Sequence, residues 1–317
     1  YFVLPDNSSK KPKTIAYEKW LWGKHMAPRV AEQRLKEFTR ADARLFVREV
    51  GSMAGARTGN YAQAVLRQIL NYAIREELIE ANPAQFEQIF KLTSRDRVLT
   101  TTELSALWNA LDRAREQRGL GLSERPAIAL QLCLTTLQRA GEVVGIETSE
   151  IDWSVSSWII PAARSKNGRA HFVPLSKLAR RLVRRALILA SAAPDSGHVD
   201  AQPPKAALAY AGPLFPAADP TKPSERHVLS RAMKRVCEKF GIENATPHDL
   251  RRTGASMLAS ERCGVPGEII ARILNHAPLG SPVTQIYNRY DYAAEKRAAL
   301  EKWGEAILDI VREAEGD

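Results

Sequence analysis

The sequence predicts a mainly α-helical protein with one small antiparallel β-sheet, an α+β fold in two parts. Apolar residues recur at steps of three and four over most of the 317 residues, which is typical of helices with one buried side. Short segments typical of strands occur only between residues 151 and 174. A charged, non-periodic stretch at residues 92–98 divides the chain. At about 150 residues per domain, the length also predicts about two domains.

The first part of the chain is predicted to be an all-helical module at residues 14–91. The segment before it, residues 1–13, is basic and is expected to be flexible; because the sequence opens with Tyr1 rather than Met, we expect it to be a fragment. Helical periodicity indicates helices near Thr14–His25, after Thr39-Arg40-Ala41, and at Gly59–Glu77, with Asn82-Pro83 ending the module. The apolar side of the second helix is predicted to consist of Ala43, Leu45, Phe46 and Val50.

The second part, residues 99–317 after the linker at 92–98, is predicted to combine helices with three strands. Thr101-Thr102-Glu103 has the composition of a capped helix start. The strands are expected at Ile151–Trp153, Ser157–Pro161 and His171–Pro174, and Asn167-Gly168 between the last two predicts a hairpin. Residues 194–213, rich in proline, alanine and glycine, are expected to form a loop. The other segments have helical periodicity: Ala127–Leu137, Lys177–Ala192, Arg226–Phe240, His248–Ser260, Gly267–Leu274 and Ala293–Glu313.

The composition limits the classes of function. The chain has 46 basic and 36 acidic residues, a net charge of +10, and the excess is present in both parts. This suits a polyanion such as nucleic acid, but it is also compatible with a basic soluble enzyme. Three separated cysteines without a CxxC spacing argue against a disulfide scaffold or zinc site and favour a reducing compartment. No apolar run reaches the roughly 18–20 residues of a membrane span, and no signal peptide or Gly-rich phosphate loop is present.

Three segments carry cations suited to binding an anion. Arg139 and Glu142 are three residues apart after an apolar helix, so they form either an oriented anion-binding pair or a surface ion pair. Lys166 lies in the predicted hairpin turn, where a lysine is ordinarily solvated. His248 and Arg251 share one face at a helix start, where they can bind phosphate or serve as a helix-capping histidine and a surface arginine.

Two further segments follow near the C-terminus. His276 ends a helix, where a histidine is usually half-buried and satisfied by hydrogen bonds. Residues 283–292 contain three tyrosines, and tyrosine normally packs in a core or interface. Only an adjacent phosphate and basic groups would make one of them a nucleophile.

The order arginine, lysine, His-x-x-Arg, histidine, tyrosine resembles the tyrosine recombinase (phage integrase) family over nearly the whole chain. The ending Tyr287–Tyr292, followed by Lys296-Arg297 and Trp303, is most similar to integrases of genomic islands and satellite phages. The resemblance implies that residues 14–91 form a helical core-binding, DNA-binding domain. It also implies that residues 99–317 form the catalytic domain with a C-terminal helix. No segment corresponds to the small arm-binding domain with which island integrases usually begin, so arm-site binding stays open.

The resemblance further implies the roles of the site residues. Tyr287 would attack a DNA phosphodiester, giving a 3′-phosphotyrosine and a free 5′-hydroxyl, with Tyr290 and Tyr292 as alternatives. The other roles are phosphate binding by Arg139 and Arg251, proton donation to the 5′-oxygen by Lys166, proton transfer or phosphate binding by His248, phosphate contact by His276, and bracing of the site by Glu142. His171, in the strand beside Lys166, is expected to be structural.

The expected partners are double-stranded DNA attachment sites and three further copies of the chain, because the family assembles a homotetramer on two duplexes. DNA-bending and directionality factors are left open as partners, and no membrane, cofactor, metal or ATP is expected. The implied location is the bacterial cytoplasm, associated with the nucleoid. Two other functions stay open: a catalytically silent DNA-binding accessory protein of the same fold, and a type IB topoisomerase-like DNA-relaxing enzyme. The apolar side of the last helix packs either on its own domain or on a neighbouring protomer.

Overall fold

The computed structural model describes residues 10–93, 96–114, 121–165, 167–195, 202–276 and 291–316. The chain forms two compact units, residues 1–95 and 96–317. The division between them lies within the charged stretch at 92–98. Most of the described residues are helical, and the strands form one small antiparallel sheet. The fold class predicted from the sequence is therefore confirmed.

The first unit is all-helical in its described residues. Its helices are α1 (Pro12–Leu21), continued by a π-helical stretch (Trp22–Met26), then α2 (Ala27–Val30), a 3₁₀ turn (Leu35–Glu37), α3 (Arg40–Ala54) and α4 (Ala56–Arg75). Helices α3 and α4 approach closely through two glycines. A Cβ on Gly59 would lie 2.8 Å from the Cα of Gly51, and both positions face the ring of Phe90. This contact leaves no room for larger side chains.

One prediction for this unit is wrong. Leu45 is 56% exposed, whereas Ala43, Phe46 and Val50 are buried. The buried positions of α3 follow the three- and four-residue steps from Ala43 through Val47 to Gly51. Leu45 falls outside that stripe because each residue advances about 100° around the helix, so it lies on the solvent side.

The second unit contains the sheet and the remaining helices. Its helices are α5 (Thr101–Asp112), α6 (Glu124–Thr136), α7 (Ala140–Val143), α8 (Lys177–Ser191), α9 (Lys205–Leu208), α10 (Arg226–Phe240), α11 (Pro247–Ala259), α12 (Gly267–Ile273) and α13 (Ala293–Gly316), with a 3₁₀ turn at Thr148–Glu150. The cap of α5 is Thr100, one residue before the predicted start. Thr100 Oγ1 accepts from the Glu103 N–H at 3.2 Å, and the Glu103 carboxylate accepts from the Thr100 N–H at 2.9 Å.

The sheet has three short strands in the order β1 (Ile151–Asp152), β2 (Ser157–Ile160) and β3 (His171–Pro174). Both pairings are antiparallel, and Ile160 is opposite His171. Ten residues therefore join β2 to β3, so the connection is longer than the tight turn that Asn167-Gly168 predicted. Gly168 has a φ of 71° within this connection, a value that favours glycine.

Helix α13 packs its apolar side on its own unit. Trp303 is fully buried, and its Nε1 donates to the Leu134 carbonyl at 2.7 Å. Gly254 of α11 lies at the same junction, where a Cβ would approach Leu137 Cδ2 to 2.1 Å. Of the two alternatives for this helix, the structure has the one in which it covers its own domain. Within the described residues, no helix has both the length and the apolar character that crossing a bilayer requires.

Candidate active site

Arg139 is held by Glu142 at the start of α7. The chain leaves α6 through Leu137, which has a left-handed φ of 57°. Glu142 then accepts from the Arg139 backbone N–H through Oε2 and from Nη1 through Oε1, both at 2.9 Å. The Glu142 side chain is 7% exposed and that of Arg139 is 26% exposed. A buried carboxylate thus orients a guanidinium that still reaches solvent, which differs from a solvated surface pair.

Arg251 is buried and cross-links two neighbouring segments. It follows a capping box at the start of α11, in which Thr246 Oγ1 donates to Asp249 at 2.6 Å. Its Nη1 donates to the Leu137 carbonyl and its Nη2 to the Leu274 carbonyl. Burial, and then the charge of Arg139, lowers the pKa of Arg251 to about 10. The guanidinium therefore remains charged at neutral pH.

Arg139, His248 and Arg251 line one cavity of about 550 Å³. We call it the arginine cleft; its wall is Gln138–Gly141, Arg226, His227, Ser230, Thr246–His248 and Arg251. Partial burial, followed by the charges of Arg252 and Arg251, lowers the pKa of His248. The imidazole is therefore neutral at pH 7 and able to accept a proton. The wall of this cavity contains three permanent cations, Arg139, Arg226 and Arg251, which suit a phosphate, and the His248 imidazole as a proton acceptor.

His276 lines a second, smaller cavity of about 200 Å³. We call it the hairpin cleft; its wall is Asn167, Arg169, Ala170, His171, Glu268, Ala271, Arg272, Asn275, His276, Asp291 and Lys296. His276 is exposed. Lys296 is buried, and its Nζ donates to the Phe172 carbonyl at 2.9 Å. Burial lowers the pKa of this ammonium.

Backbone carbonyls at the C-terminal end of α12 accept hydrogen bonds from three other segments. The Ile273 carbonyl accepts from Gln138 Nε2 at 2.9 Å and from His171 Nε2 at 3.1 Å, while the Leu274 carbonyl accepts from Arg251. His171 is buried, and burial with the charge of Lys296 lowers its pKa to about 4. These contacts agree with the structural role expected for His171. They hold the segment leading to His276 against α6, β3 and α11.

Lys166 lies outside the described residues, but both of its neighbours are described. Ser165 Oγ donates to Asn167 Oδ1 at 2.7 Å, and both side chains are hydrogen-bonded to Asn275. Asn275 directly precedes His276, so the turn on either side of Lys166 is attached to the segment that carries His276. The sequence motifs predict no role for the side chains of Asn275 and Lys296. Asn275 occupies the position after a helix where glycine is the usual residue, and this replacement is the feature of the sequence that could have indicated a role for its side chain.

Tyr287 and Tyr290 also lie outside the described residues, whereas Tyr292 is described. The Arg272 guanidinium carbon lies 3.6 Å from the centroid of the Tyr292 ring. Hydrogen bonds from Arg272 and then from Tyr292 hold the pKa of Glu268 below its usual value. Tyr292 is therefore engaged in a cluster with α12. In the described part of the chain, no three His, Cys, Asp or Glu side chains are grouped as a metal ion would require.

Comparison with known proteins defines the class of protein to which this chain belongs. The sequence matches the phage integrase family over residues 97–294. The chain therefore belongs to the phage integrase family, and the resemblance noted from its motifs is confirmed.

Individual relatives agree with this assignment. The chain is 27% identical to prophage integrase IntA of Escherichia coli (strain K12) over 247 residues, which cover 76% of this chain and 52% of that protein. It is 26% identical to tyrosine recombinase XerC of Bacillus subtilis (strain 168) over 256 residues, which cover 78% of this chain and 75% of XerC. The chain thus spans about half the length of IntA.

The fold is similar to those of solved integrases. A lambda integrase(75-356) dimer bound to a COC′ core site superposes with a TM-score of 0.63 at 16% identity, covering 84% of this chain and 88% of that one. The Tn1549 transposon integrase (aa 82-397) in complex with circular intermediate DNA superposes with a TM-score of 0.64 at 16% identity, covering 93% and 95%. A lambda integrase tetramer bound to a Holliday junction superposes with a TM-score of 0.59 at 17% identity, covering 84% and 72%.

Proposed function

We propose that the protein is a site-specific DNA recombinase that cleaves and rejoins DNA strands through a 3′-phosphotyrosine intermediate. The observation that carries this proposal is the arginine cleft, in which Arg139, His248 and Arg251 face one cavity. Membership of the phage integrase family supports the same reaction. The mobile element that the protein integrates or excises is part of the proposal, supported by the prophage integrase among its relatives.

In the proposed cleavage step, the Tyr287 hydroxyl attacks the scissile phosphorus. A bond forms between the phenolic oxygen and phosphorus while the bond from phosphorus to the 5′-oxygen breaks. The Lys166 ammonium gives its proton to the departing 5′-oxygen, and the phenolic proton leaves the tyrosine. Attack by a 5′-hydroxyl of another strand reverses the step, so the energy of the phosphodiester is conserved in the intermediate and no ATP is needed.

The remaining side chains stabilise the charge that develops on the phosphate. Arg139 and Arg251 bind the non-bridging oxygens, because oriented permanent cations stabilise the developing negative charge. Glu142 orients Arg139 through the two hydrogen bonds described above. His248, held neutral at pH 7, accepts or relays the tyrosine proton, and its lowered pKa supports this role. His276 contacts a phosphate oxygen.

The proposed partners are duplex attachment sites and three further copies of the chain. A tetramer is supported by the similarity to a lambda integrase tetramer bound to a Holliday junction. In this proposal residues 14–91 are the core-binding domain, residues 99–317 the catalytic domain, and the protein acts on bacterial DNA in the cytoplasm, with bending or directionality factors assisting. The net charge of +10 supports phosphate contacts that weaken as salt increases.

The test is adduct formation on a nicked duplex that carries the junction of the protein's own element, incubated with the protein in EDTA. We expect a protein–DNA adduct that survives SDS with the wild type and is absent with Tyr287→Phe. Tyr290→Phe and Tyr292→Phe are the matched controls and should both retain it. An adduct that persists in Tyr287→Phe would move the nucleophile to another tyrosine. A bound duplex that gives no wild-type adduct would favour the silent accessory protein. In a parallel assay on a supercoiled plasmid, relaxed circles without rejoined partners would favour the topoisomerase.

A further inference from the structure

We infer that Asn275 is a positioning residue for the proton donor: its side-chain amide holds the turn on both sides of Lys166 in place. This inference rests on the proposed function, because it assumes that Lys166 protonates the departing 5′-oxygen. Asn275 would act through the lysine without touching DNA. Three described side chains, those of Ser165, Asn167 and Asn275, make the contacts.

The three side chains form a closed ring of hydrogen bonds. Asn275 Nδ2 donates to Ser165 Oγ at 3.1 Å, and Ser165 Oγ donates to Asn167 Oδ1 at 2.7 Å. Asn167 Nδ2 then donates back to Asn275 Oδ1 at 2.7 Å, which completes the ring. Each amide uses both its donor and its acceptor. The residues immediately before and after Lys166 are therefore fixed to the same side chain.

The residues next to Lys166 differ in exposure, and the same connection is also anchored by Arg164, whose Nη2 donates to the Glu142 carbonyl at 2.8 Å. Ser165 is fully buried, but Asn167, Gly168 and Arg169 are exposed. Asn167 Oδ1 also accepts from the Arg169 N–H at 3.2 Å, which is a contact within the turn itself. The bonds to Asn275 connect the turn to a residue more than 100 positions away in the sequence. They thus connect the two residues that flank Lys166 with the segment that carries His276.

Asn275 is itself held firmly, so it can serve as an anchor. Its N–H donates to the Arg272 carbonyl at 3.1 Å, and the N–H of His276 donates to the Ala271 carbonyl at 3.0 Å. This is the hydrogen-bond pattern of a helix ended by a left-handed residue, and Asn275 has a φ of 48°. The preceding carbonyl, that of Leu274, accepts from Arg251. Asn275 thus connects the turn around Lys166 with the buried arginine of the arginine cleft.

The choice of residue points to a role beyond ending the helix. Glycine adopts the left-handed conformation without steric cost and is the usual residue at this position. A glycine would satisfy the backbone here but would remove both bonds to the turn. Asn275→Gly therefore separates the two roles, since it preserves the helix end and deletes the amide.

The chain offers a matched control. Asn244 is the other described asparagine with a left-handed φ, 53°, and it lies in the connection between α10 and α11. Asn244→Gly makes the same chemical change outside both clefts. We would compare Asn275→Gly, Asn167→Ala, Asn244→Gly and Lys166→Ala in the full chain, after thermal unfolding has shown that each variant folds.

The experiment measures single-turnover cleavage of the nicked junction duplex in two forms. One form has the natural 5′-oxygen at the scissile phosphate, and the other has sulfur in place of that bridging oxygen. A thiol has a pKa of about 8.5, so the sulfur leaves as a thiolate and needs no proton donor. A variant that is impaired only in proton donation is therefore slow on the oxygen substrate and normal on the sulfur substrate.

On the oxygen substrate, we expect Lys166→Ala to lower the cleavage rate by about 10²- to 10⁴-fold, the usual contribution of a positioned proton donor. Asn275→Gly should lower it by about 10- to 100-fold, the cost of misplacing a catalytic group by about 1 Å. Asn167→Ala should show a smaller loss, because Ser165 keeps its bond to Asn275. The sulfur substrate should restore all three variants to the wild-type rate, and Asn244→Gly should match the wild type on both substrates.

Two results would overturn the inference and leave the proposed function standing. One is an Asn275→Gly variant that cleaves the oxygen substrate at the wild-type rate. The other is an Asn275→Gly loss that persists on the sulfur substrate while the Lys166→Ala loss is restored, since Asn275 would then act on another part of the site. A Lys166→Ala loss that sulfur does not restore, or a wild type that cleaves neither substrate, would overturn the proposed proton donor together with this inference.

Discussion

The arginine cleft and the hairpin cleft are built from different kinds of contact. In the arginine cleft, the functional side chains are held by buried bonds: Arg251 donates to two backbone carbonyls, and Glu142 holds Arg139 while 7% exposed. In the hairpin cleft, the turn that contains Lys166 is held through a side-chain ring in which Asn167 is exposed. Water has little access to buried hydrogen bonds with the backbone, whereas it competes directly for the groups of an exposed amide hydrogen bond.

The two clefts therefore have different roles in the proposed reaction. In the proposed reaction, the arginine cleft binds the phosphate, and its buried bonds favour electrostatic stabilisation by preorganised cations. The half proposed to donate the proton is held by a ring of side-chain bonds in which Asn167 is exposed to water. Both halves meet at the end of α12, where the carbonyls of Ile273 and Leu274 accept from Gln138, His171 and Arg251. Four tests, in order of decreasing expected effect, examine how far the comparison extends.

The largest effect is expected at the two arginines. Arg139→Met and Arg251→Met should each lower adduct formation by about 10²- to 10³-fold, the usual cost of losing one oriented donor to a developing anion. Arg251→Met should also lower the free energy of unfolding by about 2–4 kcal/mol, because the Leu137 and Leu274 carbonyls lose their buried donor. Arg139→Met should cost less, about 1–2 kcal/mol, because the buried Glu142 carboxylate loses the guanidinium donor but keeps the backbone N–H of residue 139. Urea unfolding and adduct formation measure the two quantities, and equal stability losses would contradict the comparison.

A smaller effect is expected for Glu142→Gln. The amide keeps the size of the side chain but can accept through only one atom, so one of the two bonds to Arg139 is lost. We expect adduct formation to fall by about tenfold while binding to the junction duplex is unchanged, because the guanidinium charge remains but its orientation is less defined. A gel-shift titration beside the adduct assay measures both. Weaker binding with a normal rate of cleavage of bound DNA would show that Glu142 does not orient Arg139 for chemistry.

His171 predicts a pH dependence of stability in the hairpin cleft. Its pKa is lowered to about 4 by burial and the charge of Lys296, against about 6.5 in the unfolded chain. A histidine with a lowered folded pKa stabilises the fold above its unfolded pKa and loses that contribution as the pH falls towards 4. Between pH 7 and pH 5 this group alone should cost about 2 kcal/mol. Urea unfolding of the wild type and of His171→Gln at both pH values tests this, and an equal loss in both proteins would contradict it.

The smallest effect is expected for Tyr292→Phe. The ring keeps its contact with the Arg272 guanidinium, 3.6 Å from the centroid, and only the hydroxyl that bonds Glu268 is lost. We expect only a small stability loss, because one hydrogen bond to a solvent-exposed carboxylate is removed, with adduct formation close to that of the wild type. Chemical denaturation and the adduct assay measure the two effects. Loss of the adduct in this variant would give Tyr292 a direct part in the chemistry.

Much of the local structure could be predicted from the sequence. Helix α10 has the predicted bounds, and strand β3 was predicted to the residue. These segments have strong periodicity and clear ends, because Gly241 follows α10 and Pro174 ends β3. The two incorrect predictions also concern local structure. Leu45 was assigned to the buried side because it is apolar, although its angular position faces solvent. The connection after β2 was expected to be a tight turn because Asn-Gly is a strong hairpin signal, but the strands end too early for it.

The sequence by itself determined the helical class, the small sheet, the motif order and the side chains suited to phosphate chemistry. Those properties follow from periodicity and from residue chemistry, which act over a few positions of the chain. Only the tertiary structure decided that Arg251 would join the ends of α6 and α12, and that Asn275 would hold the turn around Lys166. Such bonds connect residues up to 114 positions apart. No local pattern specifies them, because they depend on how packed helices bring their ends together.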